Sequence, residues 1–271
     1  MIDQKIILIT GASTGIGRAI ADRLAGCGFA VFGTSRRPGE SEQPRGWDLV
    51  ELDVRSDESV ARCVETVLEK ERRIDVLINS AGYGLGGAAE EAAIEQVRAE
   101  FETDFFGLVR MIKAVLPLMR RQSSGTIINM SSGNAAVRLP FSAYYNAAKC
   151  AVEGFSASLR RELRPFGIHV SVIEPAFFKS KISETIQMGQ NRIEAYEPWR
   201  TMWGEAIKRS ALQGPPPDPV ARCVVRIISR RKPRYLYLVG SGLRLSRWAK
   251  RWLSEDLFYW GMQKVLGVRS K

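Results

Sequence analysis

Residues 5–17 read KIILITGASTGIG, an apolar run that leads through three glycines into a helical pattern. The apolar run has the length and side-chain types of a buried strand. Glycines at 11, 15 and 17 allow a tight turn and a close approach to the backbone, and the free amides of the helix that follows favour negative charge. A strand-to-helix turn also needs glycine for its own geometry, so the motif is compatible with a phosphate site or with a purely structural turn.

Similar units repeat along the rest of the chain. Predicted strands cover residues 5–10, 29–34, 49–54, 74–79, 126–131, 168–174 and 235–239, and predicted helices include 15–28, 57–72, 100–121 and 146–166. Consecutive β-α-β units of this kind predict an α/β fold, a Rossmann-type doubly wound parallel sheet of about seven strands with helices on both faces. We assign residues 1–240 to this single domain and residues 241–271 to a basic, aromatic extension.

Composition and charge exclude several classes of protein. The 271 residues are 45% hydrophobic with a net charge of +11, which is typical of a folded globular chain. Eleven basic residues against two acidic ones lie between positions 230 and 271, which leaves only +2 for the first 229. This distribution argues against a nucleic-acid surface on the domain. Four scattered cysteines and a single histidine predict no metal site and reduced thiols, hence a cytoplasmic protein.

The end of the second predicted strand carries positive charge. Residues 34–37 read Thr-Ser-Arg-Arg, where an NAD-binding protein places an acid that accepts hydrogen bonds from the ribose hydroxyls. Arginine instead binds the 2′-phosphate of NADP through charge-assisted hydrogen bonds. We therefore predict NADP(H), bound by Ser35, Arg36 and Arg37. The alternative is that both arginines lie on a solvated loop.

Further motifs follow in order along the chain. Asp53 ends the third strand, Asn79-Ser80-Ala81-Gly82 follows the fourth, and Ser132 comes thirteen residues before the Tyr145 of Tyr145-Asn146-Ala147-Ala148-Lys149. This ordered set, over residues 4–240, resembles the short-chain dehydrogenase/reductase family. Within that family the chain looks most like the hydroxysteroid, retinol and related carbonyl reductases.

The resemblance implies a catalytic role for three residues. Tyr145 would exchange a proton with the substrate, Lys149 would be its electrostatic partner, and Ser132 would orient the carbonyl group. The chemistry agrees, because tyrosine ionises near pH 10 and needs a nearby positive charge to act at neutral pH. The four-residue spacing puts Tyr145 and Lys149 on one helical face, whereas Tyr144 has Ala148 at that offset. Without the other motifs, the pair would read as an amphipathic surface.

The resemblance also extends the set of expected cofactor contacts. Together with the glycine loop, the predicted set is Gly11, Ser13, Thr14, Gly15, Ile16, Gly17, Ser35, Arg36, Arg37, Asp53, Val54, Asn79, Ala81, Gly82, Tyr145, Lys149, Pro175, Ala176, Phe178 and Ser180.

Two positions depart from the family pattern. Ala176 replaces a glycine, which puts close packing of the cofactor there in doubt. Asp104 stands where the family commonly has an asparagine that supports a proton-relaying water. That support is largely through the backbone carbonyl, so aspartate would preserve it, while its charge would alter the pKa of Lys149.

These residues predict an NADP(H)-dependent oxidoreductase that transfers a hydride between the nicotinamide and a hydrophobic ketone, aldehyde or secondary alcohol. The segment at about 177–215 is expected to cover the substrate, and its bulky side chains favour a steroid, retinoid or lipid-like compound. They are Phe177, Phe178, Ile182, Ile186, Met188, Tyr196, Trp199, Met202 and Trp203. The same side chains are compatible with a core or a subunit contact.

Other functions stay open at this stage. An NADP-binding regulatory or scaffold protein without turnover would keep the glycine loop but would not need the Ser132, Tyr145 and Lys149 set. A sugar-nucleotide epimerase or dehydratase usually has a larger substrate region. Proteins of this family are commonly homodimers or homotetramers, and we expect one of these states.

The extension mixes tryptophans with arginines. Trp248, Trp252 and Trp260 alternate with Arg244, Arg247, Lys250 and Arg251, a pattern typical of helices that lie in a membrane interface. Such a helix can equally complete a substrate pocket or pack on a partner subunit. Peripheral membrane contact is thus one of three interpretations.

Overall fold

Seven parallel strands form the central sheet of the computed structural model, which describes residues 4–41, 46–179 and 186–268. They are β1 (Ile6–Ile9), β2 (Ala30–Ser35), β3 (Asp48–Glu51), β4 (Val76–Asn79), β6 (Gly125–Met130), β7 (Ile168–Pro175) and β9 (Leu236–Val239). Their order in the sheet is β3-β2-β1-β4-β6-β7-β9. Two short strands, β5 (Leu85–Gly86) and β8 (Gln187–Met188), pair separately. The predicted doubly wound fold is confirmed.

Helices cover both faces of this sheet. They are α1 (Gly15–Gly26), α2 (Asp57–Glu71), α3 (Ile94–Phe101), α4 (Gly107–Gln122), α5 (Gly133–Val137), α6 (Ala143–Leu163), α7 (Glu197–Leu212), α8 (Asp218–Ile228), α9 (Leu243–Trp252) and α10 (Glu255–Leu266). A π-helical turn, Glu102–Phe106, joins α3 to α4. The helix predicted at 100–121 is therefore part of a longer helical run that contains a change of pitch.

Alternation along the strands explains the two hydrophobic layers. Ile6 and Leu8 pack with α2, α4 and α6, whereas Ile7 and Ile9 pack with α1 and α8. Successive side chains of a strand point to opposite faces, so a strand covered on both sides is apolar throughout. All four residues are at most 4% exposed.

The direction in which successive strands are added to the sheet reverses between β1 and β4. From β1 the sheet extends through β2 to β3 on one side, and from β4 through β6 and β7 to β9 on the other. The loops at the carboxyl ends of β1 and β4 consequently diverge and leave a crevice, which is the usual ligand position in this architecture.

The extension packs against the domain. In α9, Arg247 lies 2.7 Å from a Glu174 oxygen and 3.2 Å from one of Glu153, and Leu243 is buried beside Gly133. Val268 joins a small apolar cluster with Trp203, which is only 1% exposed. Within the described residues, no helix is long and apolar enough to span a bilayer.

Candidate active site

A cavity of about 980 Å³ opens at the carboxyl ends of β1, β2, β4, β6 and β7. It brings together most of the residues that the sequence predicts for the site. Those that line it are Gly11, Ser13, Thr14, Gly15, Ile16, Gly17, Ser35, Arg36, Asp53, Val54, Ala81, Gly82, Asp104, Ser132, Tyr145, Lys149, Pro175, Ala176 and Phe178. Arg37 and Asn79 do not line it, and the predicted Ser180 and Ile182 lie outside the described residues.

The glycine loop is packed too closely for side chains. Gly11 has a φ of +68°, and a Cβ there would lie 2.8 Å from the Cα of Ala81. A Cβ on Gly17 would lie 2.2 Å from the carbonyl oxygen of Gly11. These glycines are needed for the fold of the loop, and they also leave the start of α1 open to a ligand. The loop is therefore compatible with both the structural and the phosphate-binding interpretation.

The start of α1 fits a phosphate group. Thr14 is the N-cap residue, and its side chain makes no capping hydrogen bond to the first turn. Uncapped amides at a helix N-terminus, next to the cavity, are suitable donors to an anion. Thr10 holds the neighbouring loop in place, since its hydroxyl accepts hydrogen bonds from the amides of Ser80 and Ala81 at 2.9 and 3.0 Å. Sequence reasoning missed Thr10, which serves the loop through its position at the end of β1.

Arg36 and Arg37 differ in their surroundings. The exposed Arg36 lines the cavity, and its side chain makes no ion pair or hydrogen bond within the described ranges. Arg37 does not line the cavity and pairs with Glu40 at 3.2 Å on the surface, and its contact with the cofactor stays a prediction. The Ser35 hydroxyl is already engaged, because it accepts from the Arg37 amide and lies 3.1 Å from the hydroxyl of Ser41.

Asp53 forms an ion pair with Arg55, a residue that the sequence analysis did not predict for the site. The Arg55 guanidinium contacts both carboxylate oxygens of Asp53, at 2.9 and 2.6 Å. These hydrogen bonds hold the pKa of Asp53 below its usual value. Arg55 also lines the cavity, four residues beyond the end of β3. Its position directly after Asp53 is the signal that would have pointed to it.

Asn79 stabilises the sheet and does not reach the cavity. Its amide donates to Asn129 at 2.9 Å, and the Asn129 amide donates to Ser156 at 2.9 Å. This chain of hydrogen bonds connects β4, β6 and α6. The side chain supports the site from behind, and its contact with the cofactor stays a prediction.

Ser132, Tyr145 and Lys149 meet at the floor of the cavity. Ser132 is the N-cap of α5, and its hydroxyl accepts from the Asn134 amide at 3.2 Å. Ser132 lies near Tyr145 and lowers the pKa of its phenol. The Lys149 ammonium is 5.4 Å from the centre of the Tyr145 ring, and Lys149 is only 6% exposed. Tyr144 instead donates to the carbonyl of Ala89, away from the site.

Asp104 reaches the lysine with its side chain. Its Oδ2 lies 2.9 Å from the Nζ of Lys149, and its Oδ1 accepts from the Tyr83 amide at 3.0 Å. Sequence analysis expected support through the backbone carbonyl. The carboxylate contact arises because the π-helical turn carries Asp104 beside Gly82, where a Cβ would lie 2.8 Å from Oδ2.

The charges around Tyr145 work against its ionisation. Burial raises the pKa of Tyr145, Asp104 and Glu100 raise it further, and Lys149 and Ser132 oppose this without reversing it. The expectation that Lys149 makes the phenol acidic is therefore not met by these charges alone. Burial by itself would lower the pKa of Lys149, but Asp104, Tyr145 and Glu100 together outweigh it and the net shift is upward.

Glu100 belongs to the same group of charges and was not predicted. It is 0% exposed, and burial and then Asp104 raise its pKa to about 8. A glutamate in an amphipathic helix normally indicates a solvent-facing position. The four-residue spacing between Glu100 and Asp104 is the one signal in the sequence that would have connected them.

Apolar side chains line the outer part of the cavity. Of the predicted substrate segment, Phe177, Phe178, Ile186 and Met188 line it, as do Leu85, Phe141 and Ile207. Tyr196, Trp199, Met202 and Trp203 do not, and Trp203 is a core residue. Part of the segment therefore forms the wall and part packs beneath it. Ala176 also lines the cavity, and its φ is not in the left-handed region that only glycine readily adopts.

Two cations line the cavity beside this wall, Arg200 and Lys208, and Arg200 is neutralised. Arg200 lines the cavity and pairs with Glu91 and Glu197. Glu91 is 1% exposed and also accepts hydrogen bonds from the amides of Ala88 and Ile193. Arg200 is committed to these partners, so Lys208 is the other cation beside the apolar wall. No group of three or more histidine, cysteine or acidic residues in the described part of the chain could hold a metal ion.

Known proteins share this sequence and architecture. A family model described as short chain dehydrogenase matches residues 5–191. The chain is 36% identical over 273 residues to the 3-ketodihydrosphingosine reductase of Bacteroides thetaiotaomicron, and the match covers 99% of this chain and 100% of that protein. It is 34% identical over 249 residues to retinol dehydrogenase 8 of Homo sapiens, with 84% and 79% covered.

A solved structure extends the similarity to the fold. A short-chain dehydrogenase from Streptomyces avermitilis superposes with a TM-score of 0.82 at 27% identity, and the match covers 97% of this chain and 96% of that one.

Proposed function

Because the chain belongs to the short-chain dehydrogenase/reductase family, and is thus a nicotinamide-dependent oxidoreductase acting on carbonyl or alcohol groups, we propose that it uses NADP(H) to interconvert a hydrophobic ketone or aldehyde and its alcohol. The observation that carries this proposal is the cavity itself. Its lining combines the exposed Arg36, the group of Ser132, Tyr145 and Lys149, and a set of apolar side chains.

The glycine loop and Arg36 support the choice of cofactor. The amides at the start of α1 would hold the pyrophosphate, and Arg36 would pair with the 2′-phosphate that distinguishes NADP from NAD. An arginine stands where an acid would bind the ribose hydroxyls of NAD and would repel that phosphate. When bound, the nicotinamide supplies or accepts the hydride.

The remaining chemistry belongs to this chain. In the direction of reduction, the Tyr145 hydroxyl donates a proton to the carbonyl oxygen, and Ser132 stabilises the negative charge that develops there. Lys149 keeps a positive charge beside the phenol, which favours loss of that proton. Lys149 and Asp104 are both buried and form their ion pair at the wall of the cavity.

The substrate class is proposed from the wall of the cavity and from two relatives. Phe141, Phe177, Ile186 and Met188 favour an extended apolar molecule over a sugar. The relatives named above are a 3-ketodihydrosphingosine reductase and a retinol dehydrogenase. A ketone or aldehyde on a long hydrocarbon body fits both observations.

A substrate panel tests this function. Oxidation of NADPH is followed with long-chain ketones, retinal and steroid ketones, and with short polar ketones and sugars as the contrast. We expect turnover with at least one apolar class and none with the sugars. Turnover confined to polar carbonyl compounds, or none with any apolar compound, would contradict the proposal.

The outer face of the extension supports a further proposal, peripheral contact with an anionic membrane. Leu245, Trp248 and Trp252 are each 60% or more exposed and lie on one side of α9. Arg247 fixes the opposite side to the domain through Glu153 and Glu174. An apolar stripe flanked by Arg244 and Arg251 suits the interface of a bilayer that carries negative lipids.

We propose that the protein self-associates, on the basis of its family and of one exposed aromatic cluster. Members of this family typically form oligomers. Phe106 is 47% exposed and packs edge-on against Phe105, whose ring also contacts Phe155 on α6. A homodimer or homotetramer would cover this cluster. Light scattering coupled to gel filtration distinguishes these states from a monomer, which would contradict the proposal.

A further inference from the structure

Glu100 is a buried acid without a cation of its own. It lies near the end of α3 and is 0% exposed, and neither carboxyl oxygen has a hydrogen-bond partner among the described residues. Other buried acids of this chain are paired, Glu91 with Arg200 and Glu174 with Arg247. An unpaired buried carboxylate is costly, so its protonation state needs an explanation.

Glu100 and Asp104 compete for one ammonium group. They are four residues apart on a continuous helical run, a spacing that puts side chains on the same face. Lys149 forms its 2.9 Å ion pair with Asp104 and also attracts Glu100. Two carboxyl groups thus face a single buried cation.

The other groups around this pair do not balance the second charge. The backbone amide of Tyr83 donates a hydrogen bond to Asp104. The pKa of the Tyr83 phenol is raised to about 12 by burial and then by Glu100 and Asp104. Tyr145 faces the pair from α6, and the Leu85 amide is the remaining polar group that favours a charged Glu100. Arg55 and Arg36, which lie towards the proposed adenosine end of the cavity, oppose this increase in the pKa of Tyr83.

Charge balance in such a site favours keeping one proton. Two carboxylates beside one ammonium would leave a net negative charge away from water, and like charges at close range push one pKa upward. We propose that Glu100 and Asp104 share a single proton and so present one negative charge to Lys149. Burial and the neighbouring carboxyl, which raise the pKa of Glu100 to about 8, agree with this.

The shared proton would set the charge that Tyr145 experiences. Its loss above about pH 8 would put a second negative charge near the phenol and disfavour the phenolate. Glu100 is then a positioning residue that acts through Asp104 and Lys149. This consequence rests on the proposed role of Tyr145, but the shared proton itself is measured without turnover.

Infrared spectroscopy of the full-length protein tests the proposal. A protonated carboxylic acid absorbs above the amide I band, and difference spectra are taken between the wild type and Glu100→Gln, Asp104→Asn or Glu95→Gln. Glu95 is an exposed glutamate on the same helix and serves as the matched control. The buried Glu174, whose pKa is also raised to about 8, is unchanged in all variants and cancels in the differences.

Beyond the contribution of Glu174, we expect one acid band in the wild type, seen in the difference spectra, that disappears as the pH rises through about 8. It should be lost equally in Glu100→Gln and in Asp104→Asn, because the one carboxyl that remains in each becomes the counter-ion of Lys149. Glu95→Gln should retain it. A wild type without the band would overturn the proposal, and so would a band that survives in Asp104→Asn, since Glu100 would then be protonated by burial alone.

Thermal unfolding gives a second, independent measurement. Each single variant keeps one counter-ion for Lys149, whereas Glu100→Gln combined with Asp104→Asn keeps none. The loss of Tm in the double variant should therefore exceed the sum of the two single losses. Additive losses would contradict a shared role. Absence of NADPH turnover, with the infrared result intact, would count against the proposed function alone.

Discussion

The Nζ of Lys149 lies 2.9 Å from the Oδ2 of Asp104, and both side chains are at least nine-tenths buried. The ion pair joins α6, which carries Tyr145, to the π-helical turn between α3 and α4. The lysine thus serves two negative partners, the carboxylate and any phenolate that forms on Tyr145. Its effect on the tyrosine depends on how strongly Asp104 holds it.

Asp104→Asn tests that dependence. The amide oxygen can still accept from Tyr83, and the negative charge passes to Glu100, which raises the pKa of Tyr145 less than Asp104 does, so the pKa of Tyr145 falls. Phenolate is the base for alcohol oxidation, and we expect that rate at neutral pH to rise. The measurement is kcat for oxidation in the variant and the wild type. A large loss would mean that the carboxylate has a role of its own.

Glu100→Gln should shift the pH dependence of the same reaction. In the wild type, Glu100 ionises near pH 8 and the added negative charge raises the pKa of Tyr145, so the phenolate forms only at higher pH. The variant lacks this charge, and its oxidation rate should rise at lower pH than that of the wild type. Profiles of kcat against pH measure this, with Glu95→Gln as the control. Superimposable profiles for Glu100→Gln and the wild type would contradict it.

Arg36→Ala should weaken the preference for NADPH. A hydrogen bond to a charged group contributes roughly 1.5–3 kcal/mol, so affinity for NADPH should fall about ten- to a hundredfold with little change for NADH. Isothermal titration with both cofactors measures it. Arg37→Ala is the matched control, because Arg37 pairs with Glu40 on the surface. Equal losses in the two variants, or no loss in Arg36→Ala, would remove the basis for NADP(H).

Glutamate in place of Trp248 and Trp252 should abolish binding to vesicles. The two side chains are 60% and 68% exposed on α9, and a carboxylate there is repelled by anionic lipid. Co-sedimentation with vesicles that contain phosphatidylserine measures the bound fraction, and neutral vesicles should bind less of the wild type.

Phe166→Glu provides the comparison for this experiment. Phe166 is 42% exposed and lies just before β7. It is thus at the amino ends of the strands, whereas the cavity lies at their carboxyl ends. The Phe166→Glu variant should leave vesicle binding unchanged. If the tryptophan variant binds as well as the wild type, α9 is not the contact surface.

Local patterns were sufficient to predict the fold and the central residues of the site. Patterns of adjacent residues predict the seven strands of the sheet, the glycine turn and helices α1, α2, α4 and α6, and parallel strands bring their carboxyl ends to one edge. Gly11, Ser132 and Tyr145 therefore meet in the cavity as expected. Arg36 lies there for the same reason, at the end of β2.

Contacts across long separations could not be predicted in the same way. Asn79 binds Asn129, fifty residues away, and Trp203 is buried by residues that include the extension. The carboxylate contact of Asp104 depends on the π-helical turn, which has no counterpart in an ideal helical pattern. Helical periodicity predicts a solvent-facing position for Glu100. Its side chain is instead buried among the charged groups of the site.

Tyr145→Phe tests the proton transfer most directly, since it removes only the hydroxyl. Turnover of NADPH with the best ketone of the panel should fall by about two to four orders of magnitude, while NADPH binding, followed by its fluorescence, stays within a factor of about three because neither the glycine loop nor Arg36 is altered. An undiminished kcat in this variant would contradict the assignment of Tyr145 as the group that donates the proton.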